Sequence, residues 1–218
     1  MSTPIHDALQ DALTGRHLLT HAFYQRWEAG ALSEGELAAY AEQYRFIERE
    51  LPVTLSAIVR ELPDGPARRL VEANLADELG QPAPHTELFE SFARAAGAAD
   101  DVAATPATVA LLAAVRAAAA TNPIAALAMV AAYEVQAADI AASKADGLRH
   151  HYGFRTNGTR FWDVHVTQEA DHAGWSIEAL EALGADPDQV RAAATVAADA
   201  WWDFLSEREA LASAGASA

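Results

Sequence analysis

Apolar residues recur along this chain at intervals of three and four, and no stretch alternates between apolar and polar as a half-buried strand would. The pattern predicts helices over about 5–28, 34–61, 65–79, 85–97, 106–120, 123–150, 160–183 and 187–212. Punctuation supports these boundaries. Ser33 and Glu36 form a capping-box pattern ahead of Leu37, Tyr40 and Tyr44. Pro66, Pro106, Pro123 and Pro187 each follow a turn or cap residue, and the first helical position tolerates proline because its missing N–H would be unpaired there. Gly15 is expected to interrupt the first helix and Pro52 to kink or split the second. The connections are short and no fixed-period repeat appears. The expected architecture is therefore all-α, one compact bundle over 1–211, with a frayed, disordered tail at 212–218.

Composition narrows the chemistry. The 218 residues include 15 Lys or Arg and 31 Asp or Glu, a formal net charge of -16. No basic cluster is available to neutralise phosphates, so nucleic acid is not an expected partner. The absence of cysteine removes disulfide scaffolds, thiolate metal sites and cysteine nucleophiles. Met1 to Asp11 lacks a basic segment followed by an apolar one, so no secretory signal is read there. The most apolar region, Thr105 to Tyr133, is broken by Arg116, Asn122 and Pro123 and reads as two buried helices rather than a bilayer span. A soluble cytoplasmic protein, with no membrane partner, is the expectation.

The sharpest local signal is His165, Glu169 and His172 in the segment FWDVHVTQEADHAGW. At about 100° per residue, positions i, i+4 and i+7 span about 60° of one helix face, so two imidazoles and a carboxylate can converge on a transition metal. A solvated face with incidental histidines is the competing reading, and the flanking Trp162 and Trp175 argue for burial; on this segment alone the two are evenly balanced. Glu78 and His85 flank a helix break, where Gly80 stops one helix and prolines at 82 and 84 delay the next. Glu134 lies among Leu127, Val130, Ala131, Ala138 and Ala141, and no Lys or Arg occurs from Ala117 to Ser143 to pair with it. Pooled, Glu78, His85, Glu134, His165, Glu169 and His172 provide oxygen and nitrogen donors for two first-row metal ions. Without thiolates a structural zinc site is disfavoured. Ferritin-like centres carry two Glu-x-x-His repeats, and only one, Glu169 to His172, is present.

With these residues in view the chain resembles the haem-oxygenase-like dimetal oxidases. The likeness runs through HAFYQRWEAGALS at 21–33, NLADELGQPAPH at 74–85, YEVQAADIAASKADGL at 133–148 and HVTQEADH at 165–172. The resemblance implies a bundle of about seven to eight helices and two transition-metal ions, Fe/Fe or Fe/Mn, on the six pooled residues. One allocation gives Glu78, His85 and His172 to one ion and His165 and Glu169 to the other, with Glu134 bridging. O₂, an external reductant and a homodimer follow by the same likeness.

Within the family the chain looks like the branch of chlamydial death-domain-associating proteins and their bacterial relatives, implicated in para-aminobenzoate formation. There Tyr24 would supply the ring and Lys144 the nitrogen, with Tyr40 and Tyr133 as aromatic neighbours of the metal site. An alternative is a dimetal oxidase acting on an external fatty or amino acid, its aliphatic part lodged along the Ala-rich stretch from Val109 to Val130. A non-enzymatic helical binding protein is the third reading. Other members of the fold fit less well: thiaminase-type hydrolysis uses a cysteine, a haem pocket would not suit clustered carboxylates, and a quinone synthase would need basic residues for a polyacidic substrate. A transcriptional role lacks a basic surface.

Overall fold

Proline and short polar side chains start most of the helices. The computed structural model describes residues 3–80 and 83–215. Pro82, expected to delay the helix after Gly80, and residues 216–218 of the expected tail lie outside the described residues. Among the described residues there are nine α-helices and no strand: α1 (Pro4–Ala12), α2 (Ala22–Glu28), α3 (Glu34–Glu61), α4 (Pro66–Leu79), α5 (His85–Ala95), α6 (Pro106–Thr121), α7 (Pro123–His150), α8 (Thr156–Ala182) and α9 (Pro187–Gly215). The Ser33 hydroxyl accepts from the Glu36 N–H while the Glu36 carboxylate accepts from the Ser33 N–H, so the capping box is complete. The Asn122 side chain accepts from the Ala125 N–H and Pro123 occupies the first turn of α7.

The break expected at Gly15 is present, and the structure sharpens the details around it and in two other helices. The first stretch divides into α1, a 3₁₀ turn (Leu18–Thr20) and α2, which raises the helix count above eight. Gly15 at the break has φ +73°, a conformation glycine adopts without steric cost. Of the two outcomes expected at Pro52, a kink or a split, the split does not occur and α3 runs through it. The hydrogen bond Pro52 cannot donate is the one to the Glu48 carbonyl, and the helix continues on packing through Leu55, Ile58 and Val59. Finally, α9 extends to Gly215, past the expected end at Ala212, in an Ala-rich stretch that favours helix.

Two apolar clusters fill the interior. One joins Ile5 to Ala12, Leu55 to Leu62, Val71, Ala126 to Ala132, Ala179, Leu180 and the start of α9. The other is rich in aromatic rings and joins Phe23 to Trp27, Leu37 to Tyr44, Leu88 to Ala93, Ile140 to Leu148, Phe161, Trp162 and the end of α9. Between them α3, α7 and α8 each present polar residues: Glu48, Glu134, and His165, Glu169 and His172. Every one of these side chains is buried. The molecule thus has an apolar core at each end and a polar waist. α7 has the length and composition to cross a membrane, but 67% of its apolar window is buried in the fold.

Gly147 marks where α2 presses on α7. A Cβ there would meet Trp27 at 2.8 Å (Cδ1) and 3.0 Å (Nε1) and its backbone oxygen at 3.2 Å. Gly147→Ala is therefore expected to destabilise the protein by about 1–3 kcal/mol through overpacking, despite alanine's better helix propensity. Urea unfolding will show this as a lowered midpoint at unchanged slope.

Candidate functional site

The α8 face behaves as its spacing dictates. His165 Nδ1 lies 2.8 Å from the Phe161 carbonyl, which only accepts, so Nδ1 carries the proton and Nε2 presents its lone pair inward. Burial, reinforced by nearby His85, pushes the His165 imidazole down to about 3 and keeps it neutral. One turn on, Glu169 lies 3.6 Å from His165 Nε2 and 3.8 Å from His172 Nδ1. The outer nitrogen of His172 faces Asp77 at 3.5 Å.

The break between α4 and α5 supplies the next two groups. Glu78 Oε2 stands 2.9 Å from His85 Nδ1, and Glu78 Oε1 stands 3.7 Å from His172 Nδ1. His85 Nε2 lies 3.1 Å from the Gln168 side-chain oxygen. Each imidazole therefore turns one nitrogen to a protein oxygen and the other to a shared centre, as metal-ligating histidines do. Burial would raise the Glu78 carboxyl, but the His85 hydrogen bond and the three imidazoles outweigh it and hold it below the usual range. Burial would likewise lower His85, and Glu78 with Gln168 reverses it. From α7, Glu134 Oε1 accepts from Asn74 Nδ2 at 2.7 Å. All six residues singled out from the sequence as metal ligands are buried and come together here.

Sequence reasoning missed Glu48. This carboxylate, 4% exposed, enters from α3 and offers an oxygen within 4.8 Å of ligand nitrogens on both His85 and His165, which lie equally close to each other. The signal was present: Tyr40, Tyr44 and Glu48 follow one another at i, i+4 and i+8 on one helical face. Burial and neighbouring carboxylates push Glu48 and Glu169 well above the ordinary carboxylate range, and burial also raises Glu134.

Does a metal pair suit this chemistry? Glu48 Oε1, Glu78 Oε1, Glu134 Oε2 and Glu169 Oε2 are all buried without a hydrogen-bond partner. Orphaned oxygens of this kind are costly, and several in one spot beside inward-facing imidazole nitrogens fit hard or borderline cations. The residues present fit the group.

The second cluster lies in the aromatic half. Lys144 is ten residues after Glu134 on unbroken α7, about 15 Å along the axis, and it is not a surface lysine: it is 1% exposed. Its amine donates to the Tyr40 hydroxyl at 2.5 Å, and the Tyr40 and Tyr24 hydroxyls are 2.8 Å apart. The nitrogen sits 4.6 Å from the Tyr24 ring centroid and 4.1 Å from that of Trp162. Burial drives the Lys144 ammonium well below its ordinary value, against the opposing pull of Glu48, and burial raises the Tyr24 and Tyr40 phenols. Burial thus favours the uncharged form of the amine and of both phenols.

Tyr133 is not part of it; its hydroxyl meets that of Tyr44 at 2.8 Å. Tyr44 touches Tyr40 on one side, with ring centroids 5.5 Å apart, and on the other lines a cavity of about 80 Å³ with Tyr133, Glu48, Glu78, Glu134, His165, Glu169 and His172. Leu111, Leu112, Val115, Met129 and Val130 complete its apolar wall, whereas Val109 is exposed. His21 takes no part: its Nδ1 accepts from the Phe23 N–H and caps α2, and its Nε2 is 3.1 Å from Ser206 Oγ.

Residues 38–203 match the model of a family described as iron-containing redox enzymes. The chain is 37% identical over 214 residues to a 4-aminobenzoate synthase of Nitrosomonas europaea, covering 88% of this chain and 86% of that one. It is 30% identical over 207 residues to a 4-aminobenzoate synthase of Chlamydia pneumoniae, covering 92% of each. A TenA homologue of Pseudomonas syringae superposes with a TM-score of 0.81 at 17% identity, over 93% of this chain and 91% of that one. A Shewanella denitrificans domain with a haem-oxygenase-like fold gives 0.71 at 17% identity, over 94% and 88%. At such identities the structural likeness establishes the fold, an all-α haem-oxygenase-like bundle.

Proposed function

The chain belongs to the family of iron-containing redox enzymes, and on that premise we propose that it forms 4-aminobenzoate from its own Tyr24 and Lys144, with O₂ as oxidant and an external reductant. Glu78, His85, Glu134, His165, Glu169 and His172 would hold two metal ions, Fe/Fe or Fe/Mn. When bound, reduced ions of this type supply the electrons and open coordination positions that O₂ activation requires.

The observation that carries the reading is the sealed Tyr24–Tyr40–Lys144 cluster. A lysine needs no burial for an ordinary structural role, and this one is desolvated, its uncharged form favoured by burial, and held against a tyrosine ring. A neutral amine has the free lone pair that carbon–nitrogen bond formation requires. Tyr40 orients it by accepting its hydrogen bond and links the nitrogen to the Tyr24 oxygen, giving a route for proton exchange between them. The surrounding rings exclude water, which would otherwise compete for an activated tyrosine.

The product's atoms define what must happen at Tyr24. The ring carbon–oxygen bond is replaced by carbon–nitrogen, with the oxygen leaving as water. The Lys144 Cε–Nζ bond breaks with Cε oxidised to an aldehyde, the Tyr24 Cα–Cβ bond breaks, and Cβ is oxidised to the carboxyl carbon, O₂ taking up the electrons in each oxidation. The cavity favours this over oxidation of an external fatty acid. At about 80 Å³ it is smaller than the roughly 150 Å³ site that admits benzene, and it suits entry of O₂ better than an aliphatic chain.

The test is anaerobic loading with Fe(II) and Mn(II), exposure to O₂ with reductant, and whole-protein mass spectrometry. The expected result is 4-aminobenzoate in solution, with loss of the hydroxybenzyl group from position 24 and of the side-chain nitrogen from position 144. Sustained O₂ consumption with an intact peptide at both positions would sink the reading.

A further inference from the structure

The six-residue donor set leaves Glu48 without a role. Its carboxylate is buried in the polar waist, and its Oε1 has no hydrogen-bond partner. Lys144 acts on Glu48 through its charge, but the hydrogen bond its amine makes goes to the Tyr40 hydroxyl and leaves that oxygen without a donor. Among the described residues that line the shared cavity there is no Lys or Arg to offer a counter-charge. What Glu48 does approach is a pair of imidazoles: one of its oxygens and one nitrogen each from His85 and His165 lie mutually within 4.8 Å, and the two rings are 4.5 Å apart between centroids. Three donors at that spacing enclose a single point from which each is within reach of a coordination bond. The three come from α3, α5 and α8, so the arrangement arises from packing and not from local helix geometry.

We propose that Glu48 is a direct ligand of one metal ion, together with His85 and His165, making the centre one of three imidazoles and four carboxylates. The inference rests on the metal-centre reading above and alters its ligand allocation. His165 and His85 would share an ion, leaving Glu169 and His172 with Glu78 and Glu134 for the second. Charge supports the fourth carboxylate. Two divalent ions with three carboxylates would leave a net positive charge in a desolvated interior, and Glu48 brings the sum to zero.

Anaerobic Mn(II) titration, read as bound ions per chain by elemental analysis and as free Mn(II) by electron paramagnetic resonance, tests this without any turnover. The wild-type protein is expected to bind two ions. Glu48→Gln, nearly isosteric, and Glu48→Leu, which cannot ligate, are expected to keep one site and to weaken the other by at least about tenfold. Circular dichroism on both variants verifies the fold, and Glu78→Ala serves as the control expected to impair loading. A crystal of the Mn(II)-loaded wild type should place a Glu48 oxygen about 2.2 Å from an anomalous scatterer. Two ions bound at wild-type affinity in both Glu48 variants, with loading impaired in Glu78→Ala, would overturn the role of Glu48 alone. A wild type that takes up no ion would overturn the metal reading and this inference together.

Discussion

Lys144→Met is expected to abolish 4-aminobenzoate formation, leave metal uptake intact and raise the stability of the fold. Loss of product follows if Lys144 is the nitrogen source, as proposed, and mass spectrometry should find the residue 24 side chain unconverted to 4-aminobenzoate. Metal uptake survives because Lys144 lies about three turns of α7 from Glu134 and bonds to Tyr40, not to a ligand. Methionine fits among the rings of Tyr24, Tyr40, Tyr44 and Trp162 and carries no charge to desolvate. Stabilisation of roughly 1–4 kcal/mol at pH 7 is expected, because burying Lys144 disfavours the proton that the unfolded chain keeps, and methionine has none to lose. The pH dependence has a definite sign. Burial, its dominant cause, depresses the folded Lys144, so between that value and the ordinary value near 10.4 the unfolded chain holds one more proton. Wild-type stability therefore gains up to about 1.4 kcal/mol per pH unit from this group as pH rises through that window. The methionine variant lacks that gain, so its advantage should shrink from pH 7 towards pH 10 in parallel denaturant titrations.

Glu169→Gln is expected to remove most of the stabilisation conferred by metal while making the metal-free protein more stable. Glu169 reaches both His165 and His172, so its loss weakens the donor set at its middle. At a metal concentration 1,000 times Kd, the wild type should gain about 4.1 kcal/mol over its chelated form, and the variant far less. The metal-free behaviour has the opposite sign. Burial first, then the charges of Glu134, Glu78 and Glu48, raise the folded Glu169 carboxyl well above the value near 4.3 of an unfolded chain. Folding then takes up a proton, and that contribution, full below about pH 4.3, is lost as pH rises through the folded value. Glutamine does not titrate. With a chelator present, the stability of the variant relative to wild type should grow as pH rises from 4.5. A difference that stays flat would mean that Glu169 is ionised in the metal-free core.

Much of the fold was readable along the chain because helices are local. Ser33 with Glu36, Asn122 with Pro123, and Gly80 with Pro84 mark ends through bonds made within a few residues. The α8 triad was readable for the same reason: once a helix is granted, the angle between His165 and Glu169 follows. Less legible were the features where packing overrides local preference. Pro52 costs α3 a hydrogen bond but not its continuity, because Leu55 and Ile58 are buried on the same helix. Lys144, near the C-terminal end of α7, has the surroundings of a surface lysine until Tyr24, Trp27 and Trp162 close over it.

What the amino-acid order determined by itself is the helical class, most helix limits and the α8 triad of His165, Glu169 and His172, since each depends on residues within a turn or two of one another. The tertiary structure alone decided that Glu48 stands with His85 and His165, that Tyr44 pairs with Tyr133, and that Lys144 meets Tyr40. Those distances run between helices, and they are set by how two apolar cores bring α3, α5, α7 and α8 together around a polar waist. No spacing within any one helix encodes them.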